Sequence, residues 1–407
     1  EMSAAPKTIA PNREALPRLR PAKRLSPAAT RSHWALLRSN GLVSDAEQSE
    51  LLDVKAEADL PRYQRNIENY VGTVKVPVGA IGPLRILGAA ARGDFYVPLA
   101  TTEAALVASY GRGAALISQA GGCEALVAEE AVHRTPVFAF SSLAEAHAFA
   151  RWVRARFDRL KAIADSTTAH GKLTRIVPNL EGDHVYLVCS FTTADAAGQN
   201  MVTFATDALC AFIVEASPIP PARWFLEANL SGDKKATAAA LSGVRGRKAI
   251  ASIEIADADL RRCLHTSAER MAELWRVSSI GAVMSGAVGL QAHYANGLAA
   301  LYLATGQDVA CVAESAVGVT RMEVRGNGRL YASVTLPNIM VGTVGGGTQL
   351  PSQAAGLSIL GLKGAGCAAA LAEVCAALCL AGELSIAGAL CAGHFAQAHH
   401  RLARQLP

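Results

Sequence analysis

Thr135-Pro-Val-Phe-Ala-Phe-Ser-Ser142 opens the stretch whose reading decides the fold, residues 135–226. Its β-branched and aromatic residues, bounded by Pro and Ser, predict a strand. Leu143–Ile163 (LAEAHAFARWVRARFDRLKAI) then repeats apolar residues at helical spacing. Leu173–Pro178 (LTRIVP) and His184–Phe191 (HVYLVCSF) alternate as strands, Asn200–Ala216 predicts a second helix, and Ala222–Leu226 (ARWFL) closes the set as a strand. This β-α-β-β-α-β order is that of the split, ferredoxin-like unit. Lodged inside a longer Ala- and Gly-rich chain, it predicts a small inserted domain at 135–226.

Working outward, residues 36–134 and 227–407 are expected to form one large, helix-rich domain. Strands are predicted near Asp94–Ala100, Lys248–Ile255, Val317–Arg325 and Leu330–Thr335, and a strand and turn over Val74–Leu84, where Pro77, Gly79, Gly82 and Pro83 punctuate the chain. Thr101 or Thr102 offers an N-cap for an apolar helix reaching about Gln119. The fold class is therefore α+β. Residues 1–35 carry several prolines and seven Lys/Arg against two Glu in the first 32 positions, without periodicity, and read as a flexible basic arm.

Composition narrows the function. Hydrophobic residues are 51% and charged residues 18% of the 407, which excludes a disordered or fibrous chain. Two windows, Val277–Gln307 and Leu330–Leu362, hold no charged residue at all. Polar residues interrupt the first, and Pro337, Pro351 and Gly345-Gly346-Gly347 the second, so both read as buried core rather than as membrane spans. Outside the arm, charge is balanced and aromatics are scarce, which argues against a nucleic-acid surface. The nine cysteines form no CxxC pair and no metal spacing and read as reduced, cytoplasmic core residues.

Several short segments have residue types suited to chemistry. Asp233-Lys234-Lys235 follows the turn Asn229-Leu-Ser-Gly232, where a carboxylate can orient an ammonium that stabilises an oxyanion; a solvated loop has the same composition. Glu103 opens an apolar helix, either as a first-turn acid favoured by the dipole or as a general acid. Asp308 enters a core free of charge and calls for a partner, which a Lys would supply, or else closes a helix after Gly306. His399 and His400 end an apolar helix, where His suits proton transfer near neutral pH. Asp195-Ala-Ala-Gly198-Gln-Asn200 and Gly342-Thr-Val-Gly345-Gly346-Gly347-Thr348 are glycine turns at helix starts, fit for close approach of a phosphate. There is no G-x-G-x-x-G fingerprint.

In order along the chain, IENYVGTVKVPVGAIGPL (67–84), VPLATTEAALVAS, DAAGQNM, GDKKA, ATGQD, GTVGGGTQL and AGELSIAGALCAGH resemble 3-hydroxy-3-methylglutaryl-coenzyme A (HMG-CoA) reductase in its class I form, without a membrane anchor. The likeness covers about residues 60–402. It implies a large domain around a central helix that binds the CoA thioester, and a ferredoxin-like domain that binds NADPH or NADH. It further implies two successive hydride transfers, thioester to hemithioacetal and aldehyde to alcohol. Lys234 would stabilise the oxyanion, Glu103 would donate a proton to the carbonyl oxygen, and Asp308 would sit between them and tune both. His399 would protonate the departing CoA thiolate. Substrate contacts would come from Arg134, Asn229, Asp233, Lys235, Arg276, Arg112, His293 and Asn296. Cofactor contacts would come from Thr168, His170, Asp195, Gly198, Asn200, Gly345, Gly346, Gly347 and Thr348. The site would be shared between subunits of a homodimer or higher homo-oligomer, with no metal.

The departures bear on substrate and cofactor. Glu227 stands where the family's carboxylate pocket has a Ser, and Arg276 where it has a Lys. Arg is longer and planar, so that exchange is not neutral. Ala115 replaces one of two CoA-contacting Arg positions, and Thr168-Ala169 replaces the Ser-Arg that grips the NADP 2′-phosphate, with His170 next to it. Three readings follow: reduction of HMG-CoA to mevalonate and CoA; the same chemistry on another acyl thioester, with a neutral or cationic group facing Glu227; and a silent homologue that only binds CoA or nucleotide.

Overall fold

The computed structural model describes residues 16–19, 24–241, 243 and 245–393. They form two compact units: one from the segment before Val78 together with Gln349–Pro351, the other from Val78–Thr348 and from Ser352 onward.

The first unit holds four helices, Pro27–Ser39, Asp45–Leu51, Val54–Ala58 and Leu60–Tyr63. The arm expected over residues 1–35 is thus helical from Pro27. Ser26 caps the first helix by accepting from the amide of Ala29, and Pro27 fills a first-turn position where no amide is needed. Trp34 is fully buried, and its Nε1 donates to the carbonyl of Val71 at 2.9 Å. That one aromatic contact gives the helix a tertiary anchor which proline counting does not reveal.

The second unit is built on eleven strands: β1 (Val78–Gly88), β2 (Arg92–Ala100), β3 (Cys123–Arg134), β4 (Val137–Ala139), β5 (Lys172–Glu181), β6 (His184–Thr192), β7 (Arg223–Phe225), β8 (Gly246–Ile255), β9 (Gly289–Leu290), β10 (Gly318–Val324) and β11 (Leu330–Ile339). The order is β7-β4-β6-β3-β8-β11-β10-β9, with β1 pairing β2 and β3, and β5 pairing β6. Residues 137–225 contain the expected β-α-β-β-α-β, although the first helix is two, Leu143–Ala155 and Phe157–Ser166. β3 joins the two halves of the sheet: its start pairs with β1 and β8, and Val132–Arg134 pair with β6. The residue that leaves β3 at the junction is Arg134.

Helix Ala368–Cys391 runs through the core, and almost all of its residues are buried. Its length and the mean hydropathy of 2.0 in its most apolar window would suit a membrane, but 89% of that window is enclosed by protein. Such a helix shows no amphipathic period because every face is packed. Small residues let neighbours close in: a Cβ on Gly113 of helix Leu106–Gln119 would lie 1.9 Å from the carbonyl of Ala381. Two acids on the helix are satisfied by backbone amides. Glu373 accepts from Ala91 at 2.6 Å, and Glu383 from Ala292 at 2.9 Å and His293 at 3.0 Å, with the Thr320 hydroxyl at 2.8 Å.

The uncharged window 277–307 is not one buried helix. Tyr294–Thr305 is buried, but the second half of helix Ala268–Ser285 turns Val277 and Ile280 (each 63% exposed), Val283 (81%) and Met284 (82%) outward. Absence of charge there reflects an apolar outer face, which sequence alone cannot tell from core.

Candidate active site

Lys234 and Asp308 meet at 2.8 Å, Nζ to Oδ2, each about two-fifths exposed. The hydrogen bond to Asp308 raises the Lys234 pKa above its ordinary value, so the ammonium is charged at neutral pH. Asp308 also caps the turn Val309–Cys311 by accepting from the amide of Ala310. A Lys partner is present as the sequence suggested, but the pair lies at the surface rather than in the core.

The loop before Lys234 is tightly folded. Asn229 and Lys234 both adopt left-handed backbone, φ +65° and +55°, which a side chain with a Cβ tolerates only when its surroundings hold it. Amides of Gly232 and Lys235 donate back to the carbonyls of Asn229 and Gly232. Asp233 does not pair with either lysine through its carboxylate. It takes Arg245 at 2.7 Å and Arg134 at 3.3 Å, while Lys235 Nζ donates to the Asp233 carbonyl at 2.9 Å. Arg134 is shared: its Nη1 also donates to Glu227 at 3.3 Å. Glu227 is fixed in turn by the amides of Thr135 and Ala228, at 3.2 and 3.0 Å. A buried guanidinium with two carboxylates on one nitrogen is already neutralised before any ligand arrives.

Beside this pair, three glycine-containing turns interlock. The Thr343 amide donates to the carbonyl of Asp195 at 2.8 Å, and Gln307 brackets Gly342, accepting its amide at 2.9 Å and donating to its carbonyl at 3.0 Å. A Cβ on Gly342 would stand 2.5 Å from the amide nitrogen of Ala197, and one on Gly306 would stand 2.3 Å from the carbonyl of Gly347. Hence the glycines at these positions serve contact between turns. Gly345 and Gly346 have left-handed backbone with open space where a side chain would be, as a cradle for a close-lying ligand requires. Thr348 spends its hydroxyl on the carbonyl of Gly345.

Helix Gln199–Ala216 begins at Gly198 in left-handed backbone, with no side chain capping its first amides. Those free donors and the helix dipole fit the negative phosphates of a dinucleotide. Asn200 is exposed in the first turn. The turn with Thr168 and His170 lies alongside: a Cβ on Gly171 would be 2.4 Å from Met201 Sδ. Thr168 uses its hydroxyl to accept from the amides of His170 and Gly171, leaving the exposed His170 as the basic group there. Asp195 uses both carboxylate oxygens within the protein. Its carboxylate accepts from the amides of Gly366 at 2.8 Å and Ala368 at 3.1 Å, capping the central helix. Burial works against that charge, but these amides and Arg247 outweigh it and hold the carboxyl below its usual range.

Of the remaining expected residues, Glu103, Arg112, His293 and Asn296 lie on or against helix Leu106–Gln119 and helix Tyr294–Thr305. Glu103 precedes its helix, which starts at Leu106 rather than at a Thr cap, because Ala105 takes left-handed backbone. Its Oε1 accepts from Asn296 Nδ2 at 3.2 Å. Among the described residues no hydrogen bond or ion pair joins Glu103 to Lys234 or Asp308. His293 stacks on Tyr110 with ring centroids 5.1 Å apart, and its amide is held by Glu383. Arg112 donates twice to the Ser385 hydroxyl, at 2.9 and 3.1 Å, and once to its carbonyl. Arg276 lines a separate depression with Glu269, Trp275 and Glu323, away from Arg134 and Lys235. His399 lies outside the described residues.

Sequence reading did not find Arg245, Arg247, Gln307 or Glu314. Only Gln307 had a usable signal, since it adjoins Asp308 in ATGQD. Arg247 donates to the carbonyls of Val341 and Ala194, tying two of the turns together.

The family model for hydroxymethylglutaryl-coenzyme A reductase matches residues 32–404. The 3-hydroxy-3-methylglutaryl-coenzyme A reductase of Methanocaldococcus jannaschii is 42% identical over 346 residues, 84% of this chain and 85% of that protein. The enzyme of the same name from Aeropyrum pernix is 44% identical over 349 residues, 84% of this chain and 82% of that one. The solved structure of a class II 3-hydroxy-3-methylglutaryl-CoA reductase from Streptococcus pneumoniae, bound to NADPH, covers 88% of this chain and 96% of its own. Its TM-score is 0.64 and its identity 21%.

Proposed function

Because this chain belongs to the hydroxymethylglutaryl-coenzyme A reductase family, we propose that Lys234, held by Asp308, is the group on which its reduction of HMG-CoA turns. The enzyme is an NAD(P)H-dependent oxidoreductase that takes the thioester to the alcohol, releasing mevalonate and CoA. NAD(P)H, when bound, supplies hydride to the carbonyl carbon. Gly345, Gly346, the uncapped start of helix Gln199–Ala216 and the His170 turn would hold it.

Lys234 meets the negative charge that grows on the substrate oxygen. Its ammonium is pre-positioned by Asp308, so little reorganisation is needed at the moment of reaction. Glu103, whose carboxylate is oriented by Asn296, donates the proton that the oxygen takes up. His399 protonates the leaving thiolate. The 2.8 Å Lys234–Asp308 pair beside the knitted glycine turns is the observation that carries this reading. Lys234→Ala tests it. Thioester reduction, followed by loss of nicotinamide absorbance at saturating substrate, should fall by at least about 10²-fold, the scale of one lost oxyanion donor. Full activity in that variant would refute the mechanism.

The functional unit is a homodimer or larger homo-oligomer. Among the described residues no hydrogen bond or ion pair links the Lys234–Asp308 pair to Glu103, and the apolar face at Val277, Ile280, Val283 and Met284 is uncovered. Both observations support a second copy completing the site, with Arg276, Arg112, His293 and Asn296 serving the substrate of the neighbouring lysine cluster. The class I type is our proposal, and the motif series from IENYVGTVKVPVGAIGPL to AGELSIAGALCAGH is what supports it. NADH is accepted beside NADPH, because the 168–170 turn offers a histidine rather than an arginine to a 2′-phosphate. Nine free thiols suit a reducing, cytoplasmic setting.

The Glu227–Arg134 pair favours a second reading, in which an acyl thioester lacking a distal carboxylate is the better substrate.

A further inference from the structure

The turn that presents Lys234 is backed by buried charges with no part in the chemistry above. Glu314 is wholly buried, and its carboxylate pairs with Nη1 of Arg245. Nη2 of the same guanidinium donates to Asp233 Oδ1 at 2.7 Å. Arg245 is pinned at its backbone as well, where its amide donates to Asn338 Oδ1 at 2.8 Å. The Asn338 carbonyl accepts from the hydroxyl of Ser315, the neighbour of Glu314, also at 2.8 Å. Arg245 and Glu314, 69 positions apart in sequence, are therefore brought together and locked from both sides.

Such a pair is a poor way to gain stability, because desolvating two charges commonly cancels their attraction. Burial pushes the Glu314 carboxyl up to about 6 even with the guanidinium beside it. Nε of Arg245 lacks a hydrogen-bond partner among the described residues. What the pair does provide is a fixed point for Asp233, the residue just before Lys234. Asp233 is tied to its own turn by its amide, which donates to Ser231, and by its carbonyl, which accepts from Lys235. A φ of +55° at Lys234 persists only under such restraint.

We propose that Arg245 and Glu314 are positioning residues for the reduction: through Asp233 they hold the 229–235 turn in the left-handed conformation that presents Lys234 to Asp308 and to the substrate carbonyl. The inference rests on the assignment of Lys234 as the oxyanion group.

The test is made in the full-length enzyme. Arg245→Met with Glu314→Leu removes both charges together, so neither is left buried alone. Melting temperature should stay close to the parent's, while kcat falls on the order of 10²-fold, as a misplaced catalytic group does. KM for NADPH should change by less than about twofold, because the cofactor turns are untouched. Adding Asp233→Asn should then lower kcat by less than about twofold more, since the link from its carboxylate to Arg245 is already severed. A folded double variant with parental kcat overturns the proposal, as does an Asp233→Asn loss that simply multiplies. If the double variant does not fold, Glu314→Gln keeps the shape and removes the charge. There kcat should drop about tenfold at unchanged KM, and parental kcat overturns the proposal. Lys234→Ala runs in parallel. Its failure to lower the rate would sink the underlying assignment, whereas its loss beside a fully active double variant sinks only the positioning role.

Discussion

Glu227→Ser should improve HMG-CoA reduction while weakening the fold, and the structure sets the scale of both effects. Arg134 Nη1 lies 3.3 Å from Glu227 and 3.3 Å from Asp233, so a substrate carboxylate arriving at this guanidinium meets two acids already in place. At an effective dielectric of about 20, two unit charges roughly 4 Å apart interact by about 4 kcal/mol. The attraction to Arg134 and the repulsion from Glu227 are therefore similar in size and nearly cancel. Removing Glu227 frees a charged hydrogen bond worth about 1.5–3 kcal/mol for the incoming carboxylate. KM for HMG-CoA should fall about 10- to 100-fold, with kcat changed far less. Stability moves the other way. The variant loses acceptors for Arg134, Thr135 and Ala228, and about 1–3 kcal/mol of unfolding free energy with them. Initial rates against HMG-CoA at saturating NADPH give the first quantity, and urea unfolding gives the second. Glu227→Gln, which keeps an oxygen for the Thr135 amide but no charge, should show the KM gain with a smaller loss of stability. If KM is unchanged or higher in both folded variants, the substrate carboxylate does not sit at Arg134, and the argument fails.

Three further outcomes are expected. His133 is pushed down to about 4 by burial and then by the charges of Arg245 and Arg175. The fold thus favours neutral imidazole, a contribution of about 3 kcal/mol present above the unfolded pKa near 6.5 and lost as pH falls through about 4. His133→Phe should flatten the fall in urea midpoint over that window, and an identical fall in the variant would show that His133 is not its source. Gly113→Ala forces a methyl onto the Ala381 carbonyl and should cost about 3 kcal/mol or more, read as a lower melting temperature; an unchanged melt would mean that the two helices are not so close. Val283→Glu with Met284→Glu places charge on the uncovered apolar face, so sedimentation should show folded monomers with no HMG-CoA reduction. Active oligomers from that variant would locate the interface elsewhere.

The inserted β-α-β-β-α-β was legible because its strands alternate and its helices are one-sided, so period alone separates them. β3 was not, since Cys123-Glu-Ala-Leu-Val-Ala-Glu-Glu-Ala131 is poor in β-branched and aromatic residues. It extends because β1, β8 and β6 supply hydrogen bonds along its length, an override of local propensity. At the site, the acid at 308 in an uncharged stretch did signal a Lys partner, and Lys234 is that partner. The local reading had Asp233 pair directly with a lysine, whereas its carboxylate is taken by Arg134 and Arg245, which sequence position alone does not reveal. Asp195 shows the same limit: its place in a glycine turn is visible in sequence, but the helix it caps begins at Ala368.

The central helix bears on biosynthesis. It is the segment most prone to be mistaken for a membrane insert, or to aggregate, if it emerged from the ribosome with nothing to cover it. Yet it follows β1, β3, β8, β11 and helix Leu106–Gln119 in the chain, the elements that pack around it. With synthesis slower than local folding, a groove lined by those elements can exist before Ala368 is made. Moving residues 368–391 to the front by circular permutation would keep every native contact and still expose this hydrophobic stretch for most of translation. The order of elements, not only their packing, keeps the protein out of trouble.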